Sequence, residues 1–590
     1  MRRRAAPVVA GLLVAAYVAT FRRYAIYDLA DEGLLLAQAA RAAAGERPYL
    51  DFHTGYGPLY FAVQSRLLEA GGLDALRGAL AVVHGVTAGL TFALARRLGG
   101  TALAIASVAL AVAFFLPVAP GSGAPFNVPY PAWYAGLGGV AMALLVARGA
   151  TGPARLALAG AIAGAVFAMK PNSGALLLAG AAVASVVGDA AAREGRALAG
   201  ATLLLAVLVV GLLVAPSGIS GIALVLAGPP IALAWRCRPL LVGNATAAAR
   251  LGALGGGFAT VVALALGPTI ATLGPSRFAR EVLLVGAGVA ELFILPIGWP
   301  AVLATLLGLV TLASGRARAG VVAGLTLLVL VVASGAIDAP RAVAALRIGA
   351  ERAALAVVPL ALLGGIALLA VDVQLAPVVA LAVLAAAQLY PRPDFDHLMP
   401  LAPLVVPVAM LVWRATVARL GVAEPRAMRV AVGLALVLAA GRFLPSGSAL
   451  LAVASGRAAA VALPAGTLVA LPEGLERLRA IGDAASTLAA GTPAGERVLA
   501  FPACAAIPFL AGRLPAGPHD YFYPGRPTRG EISALAAHLA AVPPPAAVTC
   551  RAPGRLAEAW GEYPELVELI EGRYRIVLEN PLLSVRQRID

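Results

Sequence analysis

Residues 153–187 read PARLALAGAIAGAVFAMKPNSGALLLAGAAVASVV, two apolar runs separated by Lys170, Pro171 and Asn172. Each run has about the 15–20 residues that carry a helix across a bilayer. Proline closes the first because it has no N–H to donate and clashes with the preceding turn. Lys170 is the single lysine in 590 residues, and every other fixed cation is an arginine.

Similar runs recur near 5–20, 78–95, 100–115 and 132–147 and continue to 429–445. With 61% hydrophobic and 13% charged residues and a mean hydropathy of +0.88, the chain departs far from soluble composition. The expected fold is a polytopic α-helical membrane protein of about 13–15 spans with a small C-terminal periplasmic α/β domain. The formal charge of +15 comes from short arginine clusters between apolar runs. No basic stripe of the kind that tracks a phosphodiester backbone is present, so nucleic acid is not an expected partner. Cys237, Cys504 and Cys550 show no CxxC spacing, so neither a metal knuckle nor a redox pair is signalled.

Placing Arg2–Arg4 in the cytoplasm puts Arg96-Arg97, Arg148, Arg193, Arg236, Arg316 and Arg414 on the same side, as the positive-inside rule requires. Residues 1–445 then form the membrane domain, with outer segments 21–77, 116–131, 271–298 and 391–397, and residues 446–590 form the outer domain. In the latter, 495–504 reads as a strand, 532–542 as a helix and 546–550 as a second strand, an α/β alternation. Cys504 and Cys550 would end two core strands, as a disulfide or as two buried thiols.

The outer segments hold the unusual polar chemistry. Asp31-Glu32 opens a run with apolar residues at helical spacing, read as a helix on the membrane surface. Carboxylates suit a helix N-terminus in any case, and a partly shielded one can also act as general base on a hydroxyl. Asp51, His53 and Tyr56 fall in a turn-rich aromatic stretch that can line a sugar site or anchor at the interface. Lys170 and Asn172 lie where two helix ends meet, a place for a phosphate. A lysine there can also snorkel to lipid headgroups. Arg392, Asp394 and His397 cluster in QLYPRPDFDHLMPLAP (388–403). Asp394, Asp396 and His397 can hold a divalent cation, but a polar cavity wall is the preferred reading and no cofactor is expected. Arg277 and Arg280 are phosphate or headgroup contacts.

Together, the Asp-Glu pair after the first span, G-x-x-P-Y-x-D at 45–51, G-P-L at 57–59, K-P-N at 170–172 and Y-P-R-x-D-x-x-H from 390 resemble membrane glycosyltransferases of the C-type fold. That group includes protein O-mannosyltransferases, lipid A aminoarabinose transferases and bacterial galacturonosyltransferase-like enzymes. The segment 505–525, AAIPFLAGRLPAGPHDYFYPG, also resembles a part of their outer domain. The resemblance implies an inverting transferase of the bacterial inner membrane, with its N-terminus inside and its C-terminal domain outside. It would pass one sugar from a polyprenyl-phosphate carrier to a lipid, glycan or protein hydroxyl. Asp31 would be the base, Glu32 its neighbour, and Lys170 the cation on the carrier phosphate. Tyr56-Gly57 stand where some relatives carry a lysine, so donor identity does not transfer. The rival readings are a transporter or lipid flippase, and a non-catalytic transferase scaffold. No second copy of the DEG or KPN stretch is seen, although transporters tend to repeat such features.

Overall fold

Alanine, leucine and valine runs have few side-chain groups to compete for backbone hydrogen bonds, and a helix satisfies those bonds within the segment. The computed structural model describes residues 2–26, 28–115, 127–147, 152–187, 196–215, 220–238, 244–283, 294–338, 342–551 and 554–589. Most of the expected outer segment 116–131 and the stretch 284–293 of segment 271–298 lie outside the described residues.

Up to Ala454 the described residues are mostly helical. Helix α1 spans Arg2–Thr20, α2 Asp31–Ala43, α3 Pro58–Gly99, α4 Thr101–Phe115, α5 Pro131–Val146, α6 Pro153–Met169 and α7 Pro171–Val186. Further helices run to Glu424–Ala454. Among the described residues three stretches, Pro58–Gly99, Ala247–Leu273 and Asp396–Arg419, are long and apolar enough to cross a membrane, and further apolar helices of 10–17 residues are present. One extended core joins α3 through α7 to helices Ala342–Leu368, Ala376–Ala385 and Ala402–Arg419.

Beyond Ala454 the pattern changes to a hairpin of β1 (Ala459–Leu463) and β2 (Gly466–Ala470), then helix Pro472–Gly491 and a five-stranded sheet. The sheet order is β4-β3-β5-β7-β6, where β3 is Arg497–Phe501, β4 Leu514–Pro515, β5 Ala546–Cys550, β6 Tyr574–Glu579 and β7 Leu583–Arg588. Strand β3 pairs parallel with β4 and β5, while β7 runs antiparallel to β5 and β6. Flanked on both edges, β5 is buried along its whole length. Cys504 and Cys550 are free, buried thiols, and Cys504 donates to the Phe501 and Val548 carbonyls at 3.3 and 3.4 Å.

The C-terminal unit is fused to the helical part. Leu36 of α2 and Leu73 and Leu76 of α3 share one core with Leu478, Val498, Ile507, Val548 and Val585. The link between α1 and α2 adds to β2, with the Ala25 N–H donating to Val469 O at 2.9 Å and the Val469 N–H to Arg23 O at 2.7 Å. In this placement α2 is enclosed by protein on two sides. Glu32, Gly33, Leu35, Leu36, Ala37, Gln38, Ala39 and Arg41 are all buried, because α3 covers one side and the C-terminal unit the other. At Gly33 a Cβ would sit 2.6 Å from the Ala506 nitrogen, so the contact admits only hydrogen there.

Two buried arginines tie this junction. Arg77 Nη2 donates to Glu32 Oε1 at 2.6 Å, and its Nη1 to the Arg22 and Tyr24 carbonyls at 3.0 and 2.6 Å. Arg41 donates to Glu46 at 2.6 Å, Asp520 at 2.8 Å, Gly517 O at 2.9 Å and Asp51 O at 2.7 Å. Its side chain is 2% exposed and that of Asp520 0%. Removing one partner of such a pair strands a buried charge, a loss of about 3–5 kcal/mol. Arg41→Met is expected to lower the thermal unfolding midpoint of the purified protein and to open 514–530 to limited proteolysis. An unchanged midpoint and cleavage pattern would show that this contact does not hold the two parts together.

Candidate active site

Asp31 is the first residue of α2, placed there by a local turn in which Asp28 Oδ1 accepts from the Ala30 and Asp31 N–H groups at 2.8 and 3.2 Å. A carboxylate at that end sits in the positive field of the helix amides. Its Oδ2 accepts a 2.6 Å hydrogen bond from the hydroxyl of Tyr130, the residue before α5. Burial, then the Asp28 charge, raise the Asp31 pKa above the usual carboxylate range, while Tyr130, Arg392 and His397 pull it back. The group is therefore a carboxylate with heightened proton affinity, facing cationic or cation-forming side chains.

Those side chains come from the loop after helix Ala376–Ala385. His397 Nδ1 lies 2.6 Å from Asp394 Oδ1, which also accepts from the His397 N–H at 3.0 Å. Arg392 Nε is 3.2 Å from Asp394 Oδ2. Burial alone would raise the Asp394 carboxyl, but the His397 hydrogen bond and charge, with Arg392, outweigh it and hold the group below its ordinary range. Asp394 is thus fully engaged in orienting Arg392 and His397. Asp396 stands exposed, and among the described residues Asp394, Asp396 and His397 do not gather as a metal-ligating trio.

Two tyrosines complete the surroundings. Burial first, and the Asp31 charge next, raise the pKa of Tyr56. Burial also raises that of Tyr521, with the charges of Asp31 and Asp28 adding to it. Both hydroxyls stay protonated beside the carboxylate and can donate to a ligand oxygen. Tyr56 is followed by Gly57, whose N–H donates to Met169 O at 2.8 Å. A Cβ on Gly57 would meet the Ala168 carbonyl oxygen at 2.0 Å, so only glycine lets this loop press against the end of α6.

Lys170 occupies the turn between α6 and α7, outside both helices, with extended backbone angles of φ −145° and ψ 91°. Burial pushes its ammonium down to about 8, and no carboxylate pairs with it among the described residues. Asn172 caps the same turn by accepting from the Ser173 N–H at 2.8 Å, and the Ser173 hydroxyl donates to Gln388 Oε1 at 2.8 Å. Gln388 lies just before the Arg392–His397 loop. The lysine turn is therefore fastened on one side to the Tyr56 loop and on the other to the Arg392 loop.

The remaining sequence candidates stand elsewhere. Glu32 points away from Asp31 into its ion pair with Arg77, where both side chains are 0% exposed. That pair holds α2 to α3. Asp51 is exposed and accepts from the Arg47 N–H at 2.7 Å, closing a local turn. Arg277 donates to Tyr49 O at 2.9 Å, and Arg280 is exposed. His53 stacks on His519 with centroids 4.5 Å apart. Tyr130 and Tyr521 carried no signal in sequence, because only the tertiary fold brings them to Asp31.

No protein-family model matches the chain, and no curated protein does. Among solved structures it is similar to ArnT from Cupriavidus metallidurans bound to undecaprenyl phosphate, at 13% identity over 99% of this chain and 97% of that one, with a TM-score of 0.48. The same protein in the apo state shows 15% identity over 99% and 97%, with a TM-score of 0.36. An Archaeoglobus fulgidus oligosaccharyltransferase in complex with Zn and sulfate shows 12% identity over 92% and 68%, with a TM-score of 0.42. Identities this low and TM-scores below one half leave the chemistry to be argued from the residues themselves.

Proposed function

We propose that the chain is an inverting glycosyltransferase that moves one sugar from a polyprenyl-phosphate carrier to an acceptor hydroxyl at the outer face of a bacterial inner membrane. The observation that carries this reading is Asp31, a carboxylate of raised proton affinity set opposite Arg392 and His397. In the proposed step the acceptor oxygen attacks the anomeric carbon and its proton passes to Asp31 Oδ1 or Oδ2. The bond from that carbon to the carrier phosphate breaks, and the phosphate leaves with the electron pair. Leaving-group charge of this kind is stabilised by positioned cations, a part assigned to Lys170 and Arg392. One carboxylate suffices for a single displacement, where hydrolases employ a pair. Tyr56, Tyr130 and Tyr521 would flank the sugar. The acceptor is a lipid, glycan or protein, and the step itself calls for no redox or group-carrying cofactor.

The proposed orientation has about 13–15 crossings, the N-terminus in the cytoplasm, and the C-terminal unit in the periplasm. It is supported by Arg96 and Arg97 in the last turn of α3, Arg236 in that of helix Gly221–Cys237 and Arg419 in that of helix Ala402–Arg419. These ends share one side when successive helices alternate in direction, as the positive-inside rule asks. Because all three native cysteines are buried, a cysteine placed at exposed Ala494 gives a clean label. Ala494→Cys is expected to react with a membrane-impermeant maleimide on intact spheroplasts. Reaction only after lysis would reverse the orientation.

Sugar transfer by purified protein in lipid, from a panel of radiolabelled polyprenyl-phosphate sugars, tests the chemistry. Asp31→Asn is expected to cut the rate by about 100-fold or more, the usual size of a general-base contribution, with the donor still bound. A rate within a few-fold of wild type would remove Asp31 as the base.

The pH profile supplies a second check. Asp31 must be ionised to accept a proton, so transfer rises with pH through its raised pKa. Lys170 must be protonated to hold a phosphate, so donor binding is complete below about 8 and fades above it. Lys170→Arg, which keeps its charge at every accessible pH, is expected to abolish the alkaline fall. Persistence of that fall in the variant would place the titrating group elsewhere.

A further inference from the structure

Two of the chain's five histidines meet outside the cluster around Asp31. His53 lies in the loop between α2 and α3, and His519 in the loop between β4 and helix Arg529–Ala541. Glu531 stands in the first turn of that helix. One ligand atom from each of the three residues falls within 4.8 Å of the others, and among the described residues no other trio of histidine, cysteine and carboxylate groups does so. The loops themselves are joined, since the His53 N–H donates to Pro518 O at 2.8 Å and Gln38 Nε2 to His53 O at 2.8 Å.

We propose that His53, His519 and Glu531 form a zinc site that clamps the C-terminal unit onto the loop leading into α3. Two imidazoles and one carboxylate are a donor set that zinc takes up, leaving a fourth position for water.

The rings lie nearly parallel, with an interplanar angle of 4°, so a shared ion requires one of them to turn. His53 is the one with room, its side chain being 29% exposed while His519 is buried. In the orientation seen, His53 Nδ1 lies 3.9 Å from Glu281 Oε2, and His53 would bind the ion through Nε2. A carboxylate behind a metal-bound histidine is the usual way its tautomer is fixed. Thr528 occupies Glu531 Oε2, with both its N–H and its hydroxyl at 2.7 Å, which leaves Oε1 for the ion. The site is separate from the proposed transfer chemistry and stands whether or not that reading holds.

The test uses the full chain in detergent, purified through a tag without histidine, stripped by chelator and titrated with Zn²⁺ alone. One zinc per chain is expected after desalting, with X-ray absorption showing two imidazole nitrogens at about 2.0–2.1 Å. His519→Gln and Glu531→Gln are each expected to weaken binding at least tenfold. The amide introduced by Glu531→Gln retains an oxygen for the Thr528 cap, so that variant remains informative if His519→Gln fails to fold. Sub-stoichiometric zinc in the wild type, or equal binding by Glu531→Gln, would overturn the proposal.

Discussion

A guanidinium taken out of water must have its donors satisfied, and Arg41 satisfies them with groups from both halves of the chain. Glu46 and the Asp51 carbonyl belong to the loop after α2, while Asp520 and the Gly517 carbonyl belong to the C-terminal unit. Its guanidinium also lies 5.1 Å from the centre of the Phe52 ring. Such a hub gains little over an apolar core of the same shape, but it is strict about geometry, since any misplacement strands a charge. It therefore fixes how the loop 46–57 meets the loop 514–523. Tyr56 and Tyr521, one from each, are the residues whose positions follow.

From that junction the rest of the site is a matter of short tethers. Helix α2 is clamped between α3 and the C-terminal unit, and Arg77 holds it through Glu32. With the helix fixed, Asp31 at its first turn can point only toward Tyr130 and the Arg392–His397 loop. The Gly57 contact with α6 and the Ser173–Gln388 hydrogen bond then bring the lysine turn up against the same loops. Two carboxylates adjacent in sequence acquire different environments, because successive residues on a helix are rotated by about 100° and meet different neighbours.

Much of this was legible in the sequence, for reasons that are local. Helical segments follow from apolar runs and their breaks at proline, and the sheet of the C-terminal unit follows from a change in pattern. Lys170 stood out by uniqueness, and Asp31 by its place at the start of a periodic run. What could not be read depends on residues distant in sequence. Arg77 lies 45 positions beyond Glu32, and nothing near Glu32 announces a buried partner. The burial of α2 on two sides was hidden because its second face is built from small residues, glycine and alanine, which pattern as neutral. Tyr130, Tyr521 and the pairing of His53 with His519 exist only once the fold has formed.

Tyr521 has a further consequence. Asp31 precedes Tyr521 in chain order by most of the helices, so the carboxylate is made well before its tyrosine neighbour. The surroundings of the carboxylate are therefore incomplete until the segment that carries Tyr521 has been made and docks on α2. A nascent chain, truncated or stalled before that segment, would carry the Asp31 carboxylate and the lysine turn without Tyr521 beside that carboxylate.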